Sequence, residues 1–296
     1  MKNTCRIALM FLAFGLCSPS AFAQSSAKLP PEGFDMSRAG IAKGKIDTLV
    51  YPSATVGSQR RVLVYTPPAY SPDKEYPVLY LLHGIGGDEK EWLNGGRPDV
   101  LFDNLYADKK AEPMIVVMPN GRAMKDDRAS GNIMASDKVQ AFATFENDLI
   151  QDLIPYIEKN YKVKKGYENR ALAGLSMGGG QSLNFGLGHL ELFAWVGGFS
   201  SAPNTKAPEA LLPDPAKAKQ QLKLLWLSCG DKDGLLNVSQ RTHNYLDANK
   251  VPHVYHVIPG GFHDFKVWKS SLYQFAQLLF RPIDAATLAA YSTESN

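Results

Sequence analysis

The segment around Ser176 has the residue types of a strand that turns sharply into a helix and carries a nucleophile at the turn. Residues 171–175 are apolar, and Gly174 and Gly178 flank the serine in the pattern G-x-S-x-G. Because these glycines carry no Cβ, the strand and the helix can pass close to each other. The N–H groups that follow the serine, beginning with Met177, can then hold an oxyanion at the start of the helix.

A G-x-S-x-G pattern alone is weak evidence, because a glycine-rich turn without chemistry has the same residues. A serine nucleophile also needs a base that accepts its proton, an acid that orients the base, and a second N–H donor for the oxyanion. In chains with this kind of serine turn, the acid and then the histidine follow the serine in sequence. These groups are therefore expected in that order, in loops that follow predicted strands.

His263 has the position expected of the base. It follows the last predicted strand and a turn at Gly260 and Gly261, and it precedes the last helical pattern. A histidine on such a loop can be aimed to accept the serine proton and later return it to the leaving group. The other downstream histidines lie in a helical pattern or in a strand, and one histidine precedes the acid: His243, His253, His256 and His189.

Two aspartates compete for the role of the acid. Asp231 and Asp233 both follow the predicted strand at residues 222–228. Asp233 lies further out, where the loop can bend toward the histidine, and is therefore favoured. Asp231 stays an alternative, and either residue could simply form the turn.

The second oxyanion donor is predicted in the glycine-rich turn after the apolar run at residues 77–82. That run ends in His83, Gly84 and Ile85, and two further glycines follow. We choose the Ile85 N–H, paired with that of Met177. His83 precedes the nucleophile and is out of order for a catalytic base, so we interpret it as a residue that supports the turn.

The elements around these residues predict an α/β fold. Continuous apolar runs at residues 77–82, 114–118, 171–175, 194–199, 222–228 and 253–258 are typical of strands covered on both faces. Apolar residues at helical spacing lie between several of them, as at residues 142–156 and 272–279. We therefore expect a mostly parallel sheet with helices on both faces. The runs at 45–53 and 58–66 predict an antiparallel pair at its N-terminal edge.

The N-terminus has the pattern of a secretory signal peptide. Lys2 and Arg6 precede an apolar run at residues 7–16, and an A-x-A sequence ends at Ala23. We predict a signal peptide over residues 1–23, cleavage before Gln24, and a secreted or periplasmic protein. Residues 24–44 then form a polar N-terminal arm, and residues 45–296 form a single domain.

Charge and residue composition limit the classes of cofactor and partner expected for this protein. Loss of Lys2 and Arg6 lowers the formal charge from +3 to +1 and leaves no basic cluster, which argues against nucleic acid. No segment after the signal peptide has the pattern of a membrane span. Histidines and carboxylates show no ligand spacing, so we expect no metal and no other cofactor. Cleavage also leaves Cys229 as the one cysteine; it lies in an apolar run and is interpreted as buried and inert.

The assembled motifs resemble carbohydrate esterase family one, the esterase-D-like branch of the α/β-hydrolases, and most of all bacterial feruloyl esterase domains attached to xylanases. The resemblance implies Ser176 as nucleophile, His263 as base, Asp233 rather than Asp231 as acid, and no cofactor. One departure is Phe262, since relatives often carry a glycine before this histidine. The stretches that carry the resemblance are residues 82–87, 117–122, 147–150, 153–157, 173–180, 201–205 and 260–269.

The resemblance also implies a substrate. Ferulate esters on arabinoxylan are expected, with acetyl groups on xylan as the alternative because the family contains both activities. An acyltransferase and a non-catalytic glycan-binding protein are less favoured. Trp92 and Trp268 lie near the two ends of the site and could stack on a ring or a sugar, although buried packing would explain them equally well.

Overall fold

Eight strands of the described chain form one sheet. The computed structural model describes residues 28–293, so the predicted signal peptide lies outside the described residues. The sheet order is β1-β2-β4-β3-β5-β6-β7-β8. The strands are β1 (Lys45–Ser53), β2 (Ser58–Thr66), β3 (Val78–Leu82), β4 (Ile115–Pro119), β5 (Arg170–Leu175), β6 (Trp195–Phe199), β7 (Leu224–Gly230) and β8 (Val254–Ile258).

The sheet is parallel except at its N-terminal edge. Strands β4, β3, β5, β6, β7 and β8 run parallel to one another, whereas β1 pairs with β2 and β2 with β4 in antiparallel fashion. The predicted α/β-hydrolase fold, including its antiparallel edge, is confirmed. The carboxyl ends of the parallel strands share one edge of the sheet, where the loops that carry the predicted site residues also lie.

Helices cover both faces of the sheet. Along β3, Tyr80 and Leu82 pack into one buried apolar cluster and Leu79 and Leu81 into the other, because successive side chains of a strand point to opposite faces. The first cluster includes residues of α2–α7, and the second those of α1, α8 and α9. The helices are α1 (Pro98–Ala107), α2 (Ser136–Asn147), α3 (Ile154–Asn160), α4 (Ser176–Gly188), α5 (Pro208–Leu211), α6 (Pro215–Gln221), α7 (Leu236–Ala248), α8 (Phe265–Leu278) and α9 (Ala285–Tyr291).

The helical pattern at residues 142–156 is interrupted in the structure. A π-helical segment, Asp148–Leu153, joins α2 to α3. Pro155 lies in the first turn of α3 and has no N–H to donate to the preceding turn, which favours a local change of helical pitch. A second π-helical segment, Trp92–Gly96, lies between β3 and α1 at the carboxyl edge of the sheet.

The residues that precede β1 pack against α1 and α8. Asn104 of α1 donates from its side-chain amide to the carbonyl oxygens of Phe34 and Met36, at 3.0 and 2.9 Å. The Lys269 ammonium of α8 lies 2.5 Å from Asp35. The Lys269 contact holds α8, whose first residue follows His263 by two positions. Among the helices of residues 28–293, none is both long and apolar enough to cross a bilayer.

Candidate active site

Ser176 lies at a strained turn between β5 and α4. Its φ is 53°, in the left-handed region that side chains other than glycine rarely adopt. A Cβ added to Gly178 would lie 2.5 Å from the His83 carbonyl oxygen, and one added to Gly174 would lie 2.5 Å from that of Gly178. Both glycines are therefore required for the close passage of β3, β5 and α4 that the sequence predicted.

The structure brings the three predicted triad residues into one hydrogen-bonded series. His263 Nε2 lies 3.0 Å from Ser176 Oγ, and His263 Nδ1 lies 2.8 Å from Asp233 Oδ2. The serine follows β5, the aspartate follows β7 and the histidine follows β8. An ionised aspartate accepts from Nδ1–H, which leaves Nε2 as the acceptor for the serine hydroxyl. This is the tautomer that a serine nucleophile requires.

Asp233 is buried but well supplied with hydrogen bonds. Its side chain is fully shielded from solvent, and the Leu235 N–H donates to Oδ1 at 2.9 Å. Burial by itself would raise the pKa of Asp233, but hydrogen bonds from His263, the Leu235 N–H and the Ser200 hydroxyl outweigh burial and hold that pKa below its usual value. The carboxylate thus stays ionised beside the imidazole.

Asp231 has a different environment. It is exposed, and its backbone N–H donates to the Ile258 carbonyl oxygen at 3.1 Å. No hydrogen bond joins its carboxylate to a histidine of residues 28–293. Asp231 is thus a residue of the turn between β7 and α7, and the geometry favours Asp233 as the partner of His263.

Ile85 lies in a turn that is held from both sides. The Gly84 N–H donates to Glu91 Oε2 at 2.6 Å, and the Arg122 guanidinium donates to the carbonyl oxygens of Ile85 and Gly87. Within the described chain the Ile85 N–H donates to no protein acceptor. A Cβ at Gly84 would lie 3.4 Å from Ser176 Cβ, so this turn lies directly against the serine.

Met177 occupies the first turn of α4, where backbone N–H groups have no acceptor within the helix. Asn204 donates from its side-chain amide to the Met177 carbonyl oxygen at 3.1 Å. The Asn204 side chain fits against the helix because residue 180 is glycine, where a Cβ would lie 2.2 Å from the Asn204 amide oxygen. This contact fixes the first turn of α4 beside Ser176.

His83 supports the turn, as its place in the sequence predicted. The imidazole is buried; its Nδ1 donates to the Gly84 carbonyl oxygen at 2.6 Å and its Nε2 accepts from the Gly121 N–H at 2.8 Å. Burial lowers the pKa of His83, so the ring stays neutral. His83 therefore joins the loops that follow β3 and β4.

The two tryptophans lie beneath the site. Trp92 is 1% exposed, packs edge-on against Phe199 and Phe265, and donates from its indole to the Leu82 carbonyl oxygen at 2.8 Å. Trp268 is 7% exposed and its ring meets that of His263 edge-on with centroids 5.0 Å apart. Of the two roles that the sequence allowed for these tryptophans, stacking on a substrate or buried packing, the structure shows buried packing. Neither residue has an exposed ring face for stacking on a substrate.

An apolar surface lies on one side of Ser176. Phe142, Met177 and Ala202 form a small buried cluster of their own, and three half-buried side chains extend it toward solvent: Ile85, Val139 and Leu235. Two of its members carry the predicted oxyanion donors, and a third follows Asp233 by two residues. The surface can therefore contact the part of a ligand that lies next to the oxyanion.

Cys229 is inert at neutral pH. Its thiol is buried, and burial raises its pKa to about 12, with Asp233 adding to the effect. The described part of the chain contains no group of three or more His, Cys, Asp or Glu side chains arranged to hold a metal ion.

Several supporting residues have contacts that the sequence did not indicate. Arg122 and Asn204 lie in stretches that carry the family resemblance, but no local pattern indicated what they contact. Glu91 and Ser200 gave no signal, because their partners Gly84 and Asp233 lie in other loops. Ser200 itself has a left-handed φ of 46°, a strained conformation next to Asp233.

Comparison with known proteins identifies the family. The model of the Esterase family, described as "Putative esterase", matches residues 53–278 of the chain. An endo-1,4-beta-xylanase/feruloyl esterase of Xylanibacter ruminicola is 33% identical over 274 residues, covering 90% of this chain and 35% of that protein. The chain thus spans about a third of the length of that relative.

Solved structures agree with this assignment. A CE1 ferulic acid esterase of Anaeromyces mucronatus, in complex with ferulic acid, superposes with a TM-score of 0.78 at 26% identity, covering 86% of this chain and 97% of that one. The feruloyl esterase module of Clostridium thermocellum has the same fold, with a TM-score of 0.70 at 20% identity over 89% of this chain and 98% of that one. The resemblance to carbohydrate esterase family one is confirmed, and the chain belongs to the esterase family of α/β-hydrolases.

Proposed function

We propose that this chain is a serine esterase that removes feruloyl and related hydroxycinnamoyl groups from arabinoxylan. The observation that carries the proposal is the hydrogen-bonded series from Ser176 through His263 to Asp233 at the carboxyl edge of the sheet. The similarity to feruloyl esterases supports the choice of acyl group.

In the proposed mechanism Ser176 Oγ attacks the ester carbonyl carbon while its proton passes to His263 Nε2. The negative charge that develops on the carbonyl oxygen is held by the N–H groups of Ile85 and Met177. The carbon–oxygen bond to the sugar then breaks, and the imidazolium returns the proton to the departing oxygen. Water, deprotonated by the same imidazole, attacks the acyl-enzyme, and the second tetrahedral intermediate releases the acid and restores Ser176.

The apolar surface beside the oxyanion donors supports an aromatic acyl group. Ile85, Val139 and Leu235 are half-buried there and can cover a flat ring, whereas an acetyl group would leave most of that area in water. Burial of an aromatic ring contributes about 1.5–3 kcal/mol, which corresponds to roughly ten- to a hundredfold in kcat/KM when the contact is made in the transition state.

A substrate panel tests the proposal. Initial rates on methyl ferulate, methyl p-coumarate, acetylated xylan and p-nitrophenyl acetate are measured with one enzyme preparation, and Ser176→Ala serves as the control for background hydrolysis. We expect hydroxycinnamate esters to be cleaved with the highest kcat/KM. Faster cleavage of acetylated xylan, with hydroxycinnamates barely hydrolysed, would identify an acetylxylan esterase with the same triad.

The proposed substrate is an extracellular polymer, so the proposal includes export and cleavage between Ala23 and Gln24. The positive residues Lys2 and Arg6 and the apolar run after them support it. N-terminal sequencing of the protein recovered from the periplasm and the medium of an expressing bacterium tests it. We expect a terminus at Gln24. An uncleaved chain retained in the cytoplasm would contradict export.

A further inference from the structure

A polar groove lies next to the apolar surface at the same edge of the sheet. Its volume is about 410 Å³, within the range of small-molecule sites. It lies between the turn after β3, whose Gly84 lies against Ser176, and Phe265 at the start of α8, two residues after His263. The lining residues are Gly86, Gly87, Asp88, Glu91, Asn94, Gly95, Ala129 and Phe265.

The groove has the chemistry of a sugar site. Glu91 accepts the Gly84 N–H through Oε2 and can accept further hydrogen bonds, whereas the Asp88 carboxylate is paired with Arg128 at 3.0 Å. The exposed Asn94 amide has no protein partner among the described residues. Phe265 is half-buried and presents part of its ring to the groove. The glycines of the lining have no side chain that could cover their backbone groups. The described lining contains no Lys, Arg or His side chain. A carboxylate acceptor and a free side-chain amide suit the hydroxyl groups of a neutral sugar.

The turn after β3 separates this groove from the apolar surface. Ile85 packs with the apolar cluster, whereas Gly86 and Gly87, the next two residues, line the groove. The two halves of an ester extend in different directions from one carbonyl carbon. The site thus offers an apolar surface to one half and a polar groove to the other.

The position of His263 indicates which half of the ester, acyl group or alcohol, lies in the groove. In the proposed mechanism His263 Nε2 protonates the leaving oxygen, so the leaving group must lie on the histidine side of Ser176. Phe265, which lines the groove, follows His263 by two residues and packs edge-on against Trp268, which in turn contacts the imidazole. The groove is therefore on the side from which the alcohol departs.

We propose that this groove binds the neutral sugar of the leaving group, and thereby selects glycan esters over esters of small alcohols. The proposal rests on the proposed esterase function. The hydroxyl groups of one or two pentose rings would bond to Glu91 and Asn94, and one sugar face would pack on Phe265.

Two variants test the assignment. Ala129→Trp fills the exposed side of the groove, and Asn94→Ala removes its free amide. Kinetics are measured on a feruloylated arabinoxylo-oligosaccharide and on methyl ferulate. We expect the kcat/KM on the oligosaccharide, divided by that on methyl ferulate, to fall about tenfold or more in Ala129→Trp. In Asn94→Ala the same ratio should fall about threefold to tenfold, as the loss of one hydrogen bond predicts. Both changes should arise mainly from a higher KM for the oligosaccharide. Ala290→Trp, the same change on the exposed face of α9, is the matched control and should leave the ratio as in wild type.

A binding measurement separates this proposal from the proposed function. Unesterified arabinoxylo-oligosaccharide is titrated into Ser176→Ala by calorimetry, with and without Ala129→Trp. Binding in the first protein and at least tenfold weaker binding in the second would support the sugar groove even if the acyl preference proves to be acetyl. An unchanged kinetic ratio in Ala129→Trp, an equal loss on both esters, or equal oligosaccharide binding by the two proteins would overturn it. A wild-type enzyme inactive on hydroxycinnamates would instead refute the proposed function alone.

Discussion

Gly230 and Gly261 are in direct backbone contact: a Cβ added to Gly230 would lie 2.2 Å from the Gly261 carbonyl oxygen. The Lys232 N–H donates to that same oxygen at 2.9 Å. One glycine ends β7 and leads to Asp233, and the other leads to His263. The loops that carry Asp233 and His263 therefore meet at a point that leaves no space for a side chain.

Gly230→Ala should disrupt the active site although it adds only one methyl group. The added methyl group meets backbone atoms that cannot rotate away, so we expect about 1–3 kcal/mol of destabilisation and a fall in kcat of about a hundredfold through misplacement of Asp233 against His263. Chemical denaturation and steady-state kinetics measure the two effects. Gly234→Ala is the control in the same loop, because an added Cβ there meets no described atom within 4 Å. Equal behaviour of the two variants would contradict the importance of this contact.

Ser176→Ala should remove the nucleophile without unfolding the protein. We expect kcat to fall by about 10⁴ to 10⁶, with an unchanged far-UV circular dichroism spectrum. A fluorophosphonate should label the wild type at this residue. Iodoacetamide should leave the native enzyme active, because burial raises the pKa of the Cys229 thiol to about 12. Near-normal activity of Ser176→Ala would refute the assignment.

Asp233→Asn and Asp231→Asn should differ greatly. The amide at position 233 can stabilise the wrong imidazole tautomer and loses the charge that supports the imidazolium, so we expect kcat to fall by about 10³ to 10⁴. Asp231 is exposed and its carboxylate has no hydrogen bond to a described histidine, so its replacement should change kcat by less than about threefold. Both variants are measured on one substrate at one pH. The opposite ranking would assign the acid role to Asp231.

Glu91→Ala should impair the oxyanion turn. The Glu91 carboxylate accepts the Gly84 N–H at 2.6 Å, one residue before the proposed donor at Ile85. We expect kcat on methyl ferulate to fall about 10- to 100-fold with a smaller change in KM, because the oxyanion forms only along the reaction path. Lys90→Ala, at an exposed neighbouring position, is the control. A change confined to KM would mean that Glu91 acts in binding alone.

Acid should destabilise the fold through its buried and half-buried histidines. Burial lowers the pKa of His256, as it does for His243 and His253, so the native rings stay neutral while the unfolded chain takes up protons. The neutral rings therefore contribute to the free energy of unfolding above the ordinary histidine pKa of about 6.5, and this contribution is lost as the pH falls below that value. The free energy of unfolding falls by up to about 1.4 kcal/mol per pH unit for each histidine. Urea denaturation between pH 7.5 and 5 should show a shallower slope in His256→Asn than in wild type. Identical slopes would contradict the role of His256.

Local sequence patterns determined much of this protein. Continuous apolar runs predicted the parallel strands, since a strand covered on both faces has little room for polar residues. Gly174, Ser176 and Gly178 predicted the sharp turn, because its geometry depends on the residues that form it. The order of serine, aspartate and histidine then limited the candidates to a few post-strand loops.

Tertiary structure decided which of those candidates meet. His263 and Ser176 are 87 positions apart in sequence, and no local period reports a contact at that distance. The preference for Asp233 over Asp231 in the structure depends on burial and on the contact between the loops that follow β7 and β8. Three further features depend likewise on segments that approach one another only when the sheet is complete. They are the support that Glu91 and Arg122 give to the turn at Ile85, the burial of Trp92, and the groove before α8. Such contacts are set by the packing of distant elements, whereas propensity and periodicity act over a few residues.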